Sequence, residues 1–287
     1  MENLTIKTLI PNNNHTKYFG VDYFANIYDG SNPSFRYFSS SIDPIMNYKE
    51  ESISFNEIKY SYFTQELRNI EPNKIIGFFQ NPCLYSNLKS IDFILDELDR
   101  LKLGLFLETN SENILNDIER LIAFGKKRPL LIALPIYSFQ EIEMSFFSNM
   151  KSYTRIQKII NCLKSADINF GVVVKPIIPK INDLLSNFER IIKSATVDGQ
   201  DFIYPSFTLY FDSFKIHNFY DIINIEKSEL MNYFFDNFGQ KYNWESENIQ
   251  ELKKIFVFST KKNKINYAMK DIINLYRESD YTQLKLF

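Results

Sequence analysis

The sequence predicts an α/β fold in which helices cover a parallel sheet. Three observations carry that reading. Short runs that are apolar on both faces recur through the middle of the 287-residue chain. Amphipathic segments with helical spacing separate them. No internal repeat or low-complexity linker interrupts the alternation. Strands without a polar face belong in sheets buried on both sides, and strands that alternate with helices pair in parallel. Right-handed crossovers then give either a barrel or an open doubly wound sheet, and strand spacing alone does not choose between them.

The elements follow in order. Residues 75–79 (IIGFF) form the first apolar run, and residues 90–102 place Ile91, Ile94, Leu95, Leu98 and Leu101 at helical spacing. Residues 104–108 (GLFLE) are the second strand. A helix then starts near Asn110 or Ser111, both good N-caps, with the stripe Ile114, Leu115, Ile118, Leu121, Ile122 and a stop at Gly125. Residues 130–134 (LLIAL) are a third strand, ended by Pro135. Residues 153–166 place Ile156, Ile159, Ile160 and Leu163 on one helical face. Residues 169–174 (NFGVVV) are a fourth strand, Asn182 or Asp183 caps the next helix, and residues 206–211 (SFTLYF) are a fifth strand. In either topology the functional face lies beyond the C-terminal strand ends. That rule selects residues 80–82, 109–111, 135–138, 175–183 and the stretch after Phe211.

Composition narrows the function. Net charge is −2, so nothing global marks a polyanion binder. Two cysteines, Cys83 and Cys162, make no disulfide framework and point to a reducing, cytoplasmic setting. No signal peptide and no membrane-length apolar run is evident. The 27 Phe and 18 Tyr accompany abundant Ile, Asn and Lys, a mixture typical of a low-GC genome. A single aromatic is therefore weak evidence of a stacking platform. His15 and His217 are the only histidines, and no Cys/His set has zinc spacing.

Residues 20–30, GVDYFANIYDG, fit a G-C-x-x-x-C-x-x-C frame followed by D-G, without its cysteines. Residues 77–83 (GFFQNPC) sit where a G-x-x-T-D-P-Y segment belongs, and Thr109, Asn110, Ser111 with Asn116, Asp117 stand for T-K-S and R-D. Residues 176–183 (PIIPKIND) match a P-I-I-P-x-[IL]-[NT]-D segment, and the ending QLKLF is similar to Q-L-S-L-F. In this order the chain resembles the spore photoproduct lyase-like branch of the radical S-adenosylmethionine (radical SAM) enzymes over nearly its whole length. The resemblance implies a partial (β/α)6 barrel of TIM-like type over residues 1–215, a mainly helical C-terminal extension over 216–287, and a ligand site in the open top.

The resemblance also implies a [4Fe–4S] cluster on three thiolates of one loop. The matching positions hold Val21, Ala25 and Tyr28. Valine and alanine carry no donor atom, and a phenol is a poor substitute for a soft thiolate. The expectation is a kept fold and lost chemistry: a non-catalytic homologue with no cluster and no other cofactor, and no S-adenosylmethionine requirement. Val21, Ala25 and Tyr28 are expected to face the barrel opening. Ligand-pocket candidates are Gln80, Asn81, Thr109, Ser111, Lys175 and Asn182. For Thr109, Ser111 and Asn182 the competing role is capping, and for Lys175 a solvated loop position. The partner would be another protein, such as an active radical SAM paralogue, or a small ligand. Cluster-independent catalysis in the same barrel, with or without bound S-adenosylmethionine, and nucleic-acid binding are the alternatives. Lys126, Lys127 and Arg128 form a basic run that could meet nucleic acid, and a solvated turn is its plainer reading.

Overall fold

The computed structural model describes residues 8–29, 39–40, 54–79, 84–85, 88–144, 147, 150–211 and 213–277. The elements are, in order, β1 (Leu9–Pro11), β2 (Tyr23–Ala25), β3 (Tyr28–Asp29), β4 (Ser39–Ser40), β5 (Ser54–Phe55), α1 (Glu57–Leu67), β6 (Ile75–Phe78), α2 (Asp92–Arg100) and β7 (Gly104–Glu108). Then come α3 (Ile118–Gly125), β8 (Leu130–Ile136), α4 (Gln157–Ser165), β9 (Phe170–Val174), α5 (Leu185–Val197) and β10 (Phe202–Pro205). The last part holds β11 (Leu209–Tyr210), α6 (Ser213–Glu226), α7 (Met231–Asn237), β12 (Asn243–Trp244), α8 (Ile249–Asn263) and α9 (Met269–Arg277).

The main sheet has seven strands in the order β1-β2-β6-β7-β8-β9-β10. Its strands from β2 to β10 are parallel, and β1 runs antiparallel to β2 at one edge. With β1 and β10 as its two edges, the sheet is open. The apolar strands behave as their composition requires, since successive side chains pass to opposite faces. Ile76, Leu105, Ile132, Val172 and Ile203 point into a core shared with α1 to α5 and α8. Ile75, Phe106, Leu131, Ala133, Val173 and Phe202 point the other way, into a second core with Phe19, Val21 and α9. Each fully buried aliphatic or aromatic side chain contributes about 1.5–3 kcal/mol.

Two strands of the sheet differ from the sequence expectation. The first parallel strand is β2, inside the GVDYFANIYDG stretch read as a loop. The last is β10, whereas residues 209–210 of the expected SFTLYF strand form β11 in a separate sheet with β4 and β12. Proline explains the choice at β8, which continues through Pro135 to Ile136 rather than ending before it. The N–H that Pro135 lacks would face β7, but β7 has already ended, its last pair being Glu108 with Ala133. The Pro135 carbonyl on that side is taken by Asn110 Nδ2 at 2.9 Å.

The expected division between residues 215 and 216 falls inside α6. The C-terminal part is also shared out among the cores. α6, α7 and Trp244 build a third core with Tyr137 and Ile178 from the loops after β8 and β9. Leu252 and Phe256 of α8 join the helix-covered face, and Ile272 and Tyr276 of α9 join the opposite one. Trp244 is fully buried, stacks on Phe238 at 4.5 Å and donates to the Lys241 carbonyl at 2.7 Å, so it is a core residue.

Candidate functional site

Parallel strands end together, so the side chains at their C-terminal ends are brought into one layer. Phe106 and Glu108 share a face of β7, and Val173 and Lys175 share the same face at the end of β9. The result is an ion pair between Lys175 Nζ and Glu108 Oε1 at 2.7 Å, with side-chain exposures of 1% and 0%. Two charges stay ionised in such a setting only as a pair, because each alone would lack compensation for lost hydration. Lys175 therefore belongs to Glu108 rather than to a solvated loop or an open anion site. The sequence reading missed Glu108, although an acid closing an apolar strand on the parity of Phe106 was a usable signal.

The other strand-end candidates act mostly on the backbone. Thr109 Oγ1 accepts from the Ser111 N–H at 3.1 Å, and Ser111 Oγ accepts from the Asn113 N–H at 3.3 Å. Ser111 thus caps the 3-10 helix Glu112–Asp117 that leads into α3, the capping role foreseen for it. Asn182 caps nothing: its Oδ1 accepts from the Ile178 N–H at 2.6 Å and its Nδ2 donates to the Tyr137 and Pro176 carbonyls at 2.7 and 2.8 Å. It ties the loops after β8 and β9 together. Asp183 accepts from Ser246 Oγ at 2.5 Å instead of capping, and α5 begins after Leu184 with no side-chain cap. Gln80, Asn81 and Cys83 lie outside the described residues. So does the QLKLF ending. Asp117, the acid of the R-D match, accepts from Tyr85 Oη at 2.8 Å, Ser90 Oγ at 2.5 Å and the Ile91 N–H at 2.9 Å. It anchors the start of α2, a structural role in a position that looks catalytic.

The cysteine frame is dispersed. Val21 precedes β2 and packs so closely under Gly77 that a Cβ there would meet its Cγ1 at 2.7 Å. Ala25 and Tyr28 belong to the helix-covered core on the other face, where the Tyr28 hydroxyl donates to the Leu84 carbonyl. The three positions do not share one opening, because the frame straddles a strand and its side chains divide between two faces. The group of consequence in the frame is Asp22, which is 5% exposed. Its carboxylate accepts from the Ile75 N–H at 2.8 Å and from Arg277 Nη2 at 2.6 Å, and it lies 3.7 Å from Lys74 Nζ and 3.5 Å from His15 Nδ1. All of these lie at the strand-start edge.

That same edge is closed by an aromatic packing. Phe19 is fully buried, stacks on Phe106 at 4.6 Å and meets Tyr204 edge-on at 5.6 Å. Its backbone is left-handed at φ 57°, between Tyr18 at 49° and Gly20 at 74°. A left-handed residue other than glycine costs about 1–2 kcal/mol, so Tyr18 and Phe19 are held there by their surroundings. α9 supplies much of that hold. Tyr276 Oη donates to the Phe19 carbonyl at 2.5 Å, the Phe19 N–H donates to Met269 Sδ at 3.2 Å, and Arg277 donates to the Gly20 carbonyl. Burial pushes the Tyr276 phenol well above its ordinary pKa, keeping it a donor.

Among the described residues, no group of three His, Cys, Asp or Glu side chains is placed to hold a metal ion. In the basic run, Lys127 Nζ and Arg128 Nε reach Asp99 at 3.1 and 2.9 Å, which makes it a surface ion-pair cluster. Burial pushes Asp99 upward, yet the hydrogen bonds from those two cations outweigh it and hold the carboxyl below its ordinary pKa. Among the described residues, no helix is long and apolar enough to cross a membrane. No family model, curated protein or solved structure matches the chain.

Proposed function

We propose that the chain is a radical SAM-type partial (β/α)6 barrel that has lost its cluster and works by binding a partner protein or a small ligand. The sequential parallel order from β2 through β6 to β10, with open edges, supports the barrel reading. The observation that carries the loss of chemistry is the fate of the frame: Val21 and Tyr28 are core residues on opposite faces of the sheet, and the half-buried Ala25 packs on the Tyr28 side. The residues present do not fit a [4Fe–4S] cluster. Such a cluster needs soft thiolates converging on one loop, and the chain's only cysteines are Cys83 and Cys162. Cys162 lies on α4, among the helices on the outside of the sheet. The partner this reading favours is a cysteine-bearing radical SAM chain, with the strand-end loops as the contact side. Anaerobic reconstitution with iron and sulfide tests it: no cluster is expected, and a stoichiometric [4Fe–4S] centre would overturn it.

A second reading, a cluster-independent enzyme, draws on the Glu108–Lys175 pair. A buried acid–base pair at parallel strand ends lies where α/β enzymes place their chemistry. On this reading Lys175 and Glu108 exchange a proton with a substrate entering from the strand-end side. If so, Lys175→Met and Glu108→Met should abolish turnover of that substrate while the double variant stays folded.

A further inference from the structure

We propose that Phe19 is the protein's own occupant of a site for a planar aromatic ring, carried on a strained turn and latched there by α9. This inference goes beyond the binding reading above and does not depend on it, since it concerns the Phe19 turn and α9 rather than the strand-end loops. Three independent features support it. The first is residence: the ring lies parallel to Phe106 at 4.6 Å and 14°, with Tyr204 edge-on and Phe202 tilted at 5.9 Å. These are the stacked and edge-to-face geometries by which a protein holds an aromatic ligand. The second is carriage. Ordinary core residues sit on relaxed backbone, whereas this ring is delivered by consecutive left-handed residues, Tyr18 and Phe19. Backbone outliers of this kind concentrate at ligand clamps and switches. The third is the latch: one helix grips both polar groups of the Phe19 backbone and the carbonyl of Gly20, through Met269, Tyr276 and Arg277.

The consequence is a population shift. Loosening α9 removes the contacts that hold the turn, the turn relaxes, and the ring withdraws. It leaves an apolar hollow of benzene-to-indole size walled by Phe106, Phe202 and Tyr204. A cavity of about 270 Å³ between the α3–β8 and α4–β9 turns has Tyr276, itself 1% exposed, in its lining. An uncharged flat ring fits the hollow; a charged one would leave its charge unpaired among apolar side chains.

The test uses the full chain and indole as the probe, titrated by ligand-observed NMR into wild type, Tyr276→Phe, Arg277→Ala and Phe19→Gly. Each latch variant is expected to bind indole about fivefold more tightly than wild type, because losing a latch hydrogen bond raises the open population by about that factor. Phe19→Gly, which vacates the site and suits the positive φ, should bind tightest. In wild type the amides of residues 18–22 should exchange by local opening, ahead of Phe106 and Phe202. Equal or absent indole binding in wild type, Tyr276→Phe and Arg277→Ala would overturn the proposal. Exchange of residues 18–22 only through global unfolding would do the same. If Phe19→Gly does not fold, the two latch variants still decide.

Discussion

The two ends of one sheet face are built in opposite ways. At the strand-start edge the space is filled by Phe19, Val21, Phe106 and Tyr276, and the nearest charges, Asp22 and Arg277, act as outside fasteners. At the strand-end edge the same face carries Glu108 against Lys175 with no exposed surface on either side chain worth counting. The first arrangement draws its stability from apolar burial. The second draws little net stability from its charges, because desolvation offsets most of their attraction. A protein selected for stability alone would have continued the apolar layer upward. The strand-end charges are therefore a feature of this face that stability alone does not account for.

This contrast is open to attack by mutation. The largest expected effect is at the strand ends. Lys175→Met takes the cation from the buried Glu108 carboxylate and should cost about 3–5 kcal/mol in denaturant unfolding, whereas the Lys175→Met/Glu108→Leu double variant should recover most of it. A double variant as unstable as the single would mean that the pair contributes real net stability, and the contrast would fall. At the strand starts, Asp22→Asn keeps an acceptor for the Ile75 N–H but leaves Arg277 without its carboxylate. A loss of about 1–2 kcal/mol is expected, smaller in high salt, since Arg277 keeps a third of its surface. Tyr276→Phe deletes only the hydroxyl that meets the Phe19 carbonyl and should cost about 1 kcal/mol by thermal or chemical unfolding. An unchanged midpoint would show that α9 does not hold the turn.

The smallest effect is a pH dependence. Burial holds the Asp201 carboxyl above its ordinary pKa, although the Phe170 N–H at 2.8 Å partly opposes this. Its folded pKa therefore exceeds its unfolded one, so the folded state binds more protons in the window just above 3.8. Stability contributed here is present below that window and is lost as pH rises through it. Asp201→Asn should flatten this part of the stability–pH curve, and a variant with an unchanged slope would contradict the assignment.

Much of the fold was legible in the sequence, for a physical reason. Strands buried on both faces have to be apolar throughout, so β6, β7, β8 and β9 stand out as IIGFF, GLFLE, LLIAL and NFGVVV. β2 escaped because only three residues, Tyr23, Phe24 and Ala25, form the strand, too short a run between Asp22 and Asn26 to show a period. β10 escaped because FIYP ends in a proline and lies next to the more strand-like SFTLYF. The site was less legible. Lys175 and Asn182 were singled out as ligand-pocket candidates, yet the contacts they make depend on partners that only the fold supplies, Glu108 on another strand and the carbonyls of Tyr137 and Pro176. Asp22 was overlooked because Arg277 lies 255 residues further along the chain. That positions 21, 25 and 28 carry no cysteine was plain from the residues alone, but the division of Val21, Ala25 and Tyr28 between two faces was not. Periodicity does not show where a short strand interrupts a motif.

The central claim is that this fold persists without the cluster chemistry. Anaerobic reconstitution with iron and sulfide, followed by iron and sulfide analysis and absorption spectroscopy of the full chain, tests it most directly. The account predicts no broad charge-transfer absorption and iron far below one cluster per chain. Four irons and four sulfides per chain with the spectrum of a [4Fe–4S] centre would contradict it.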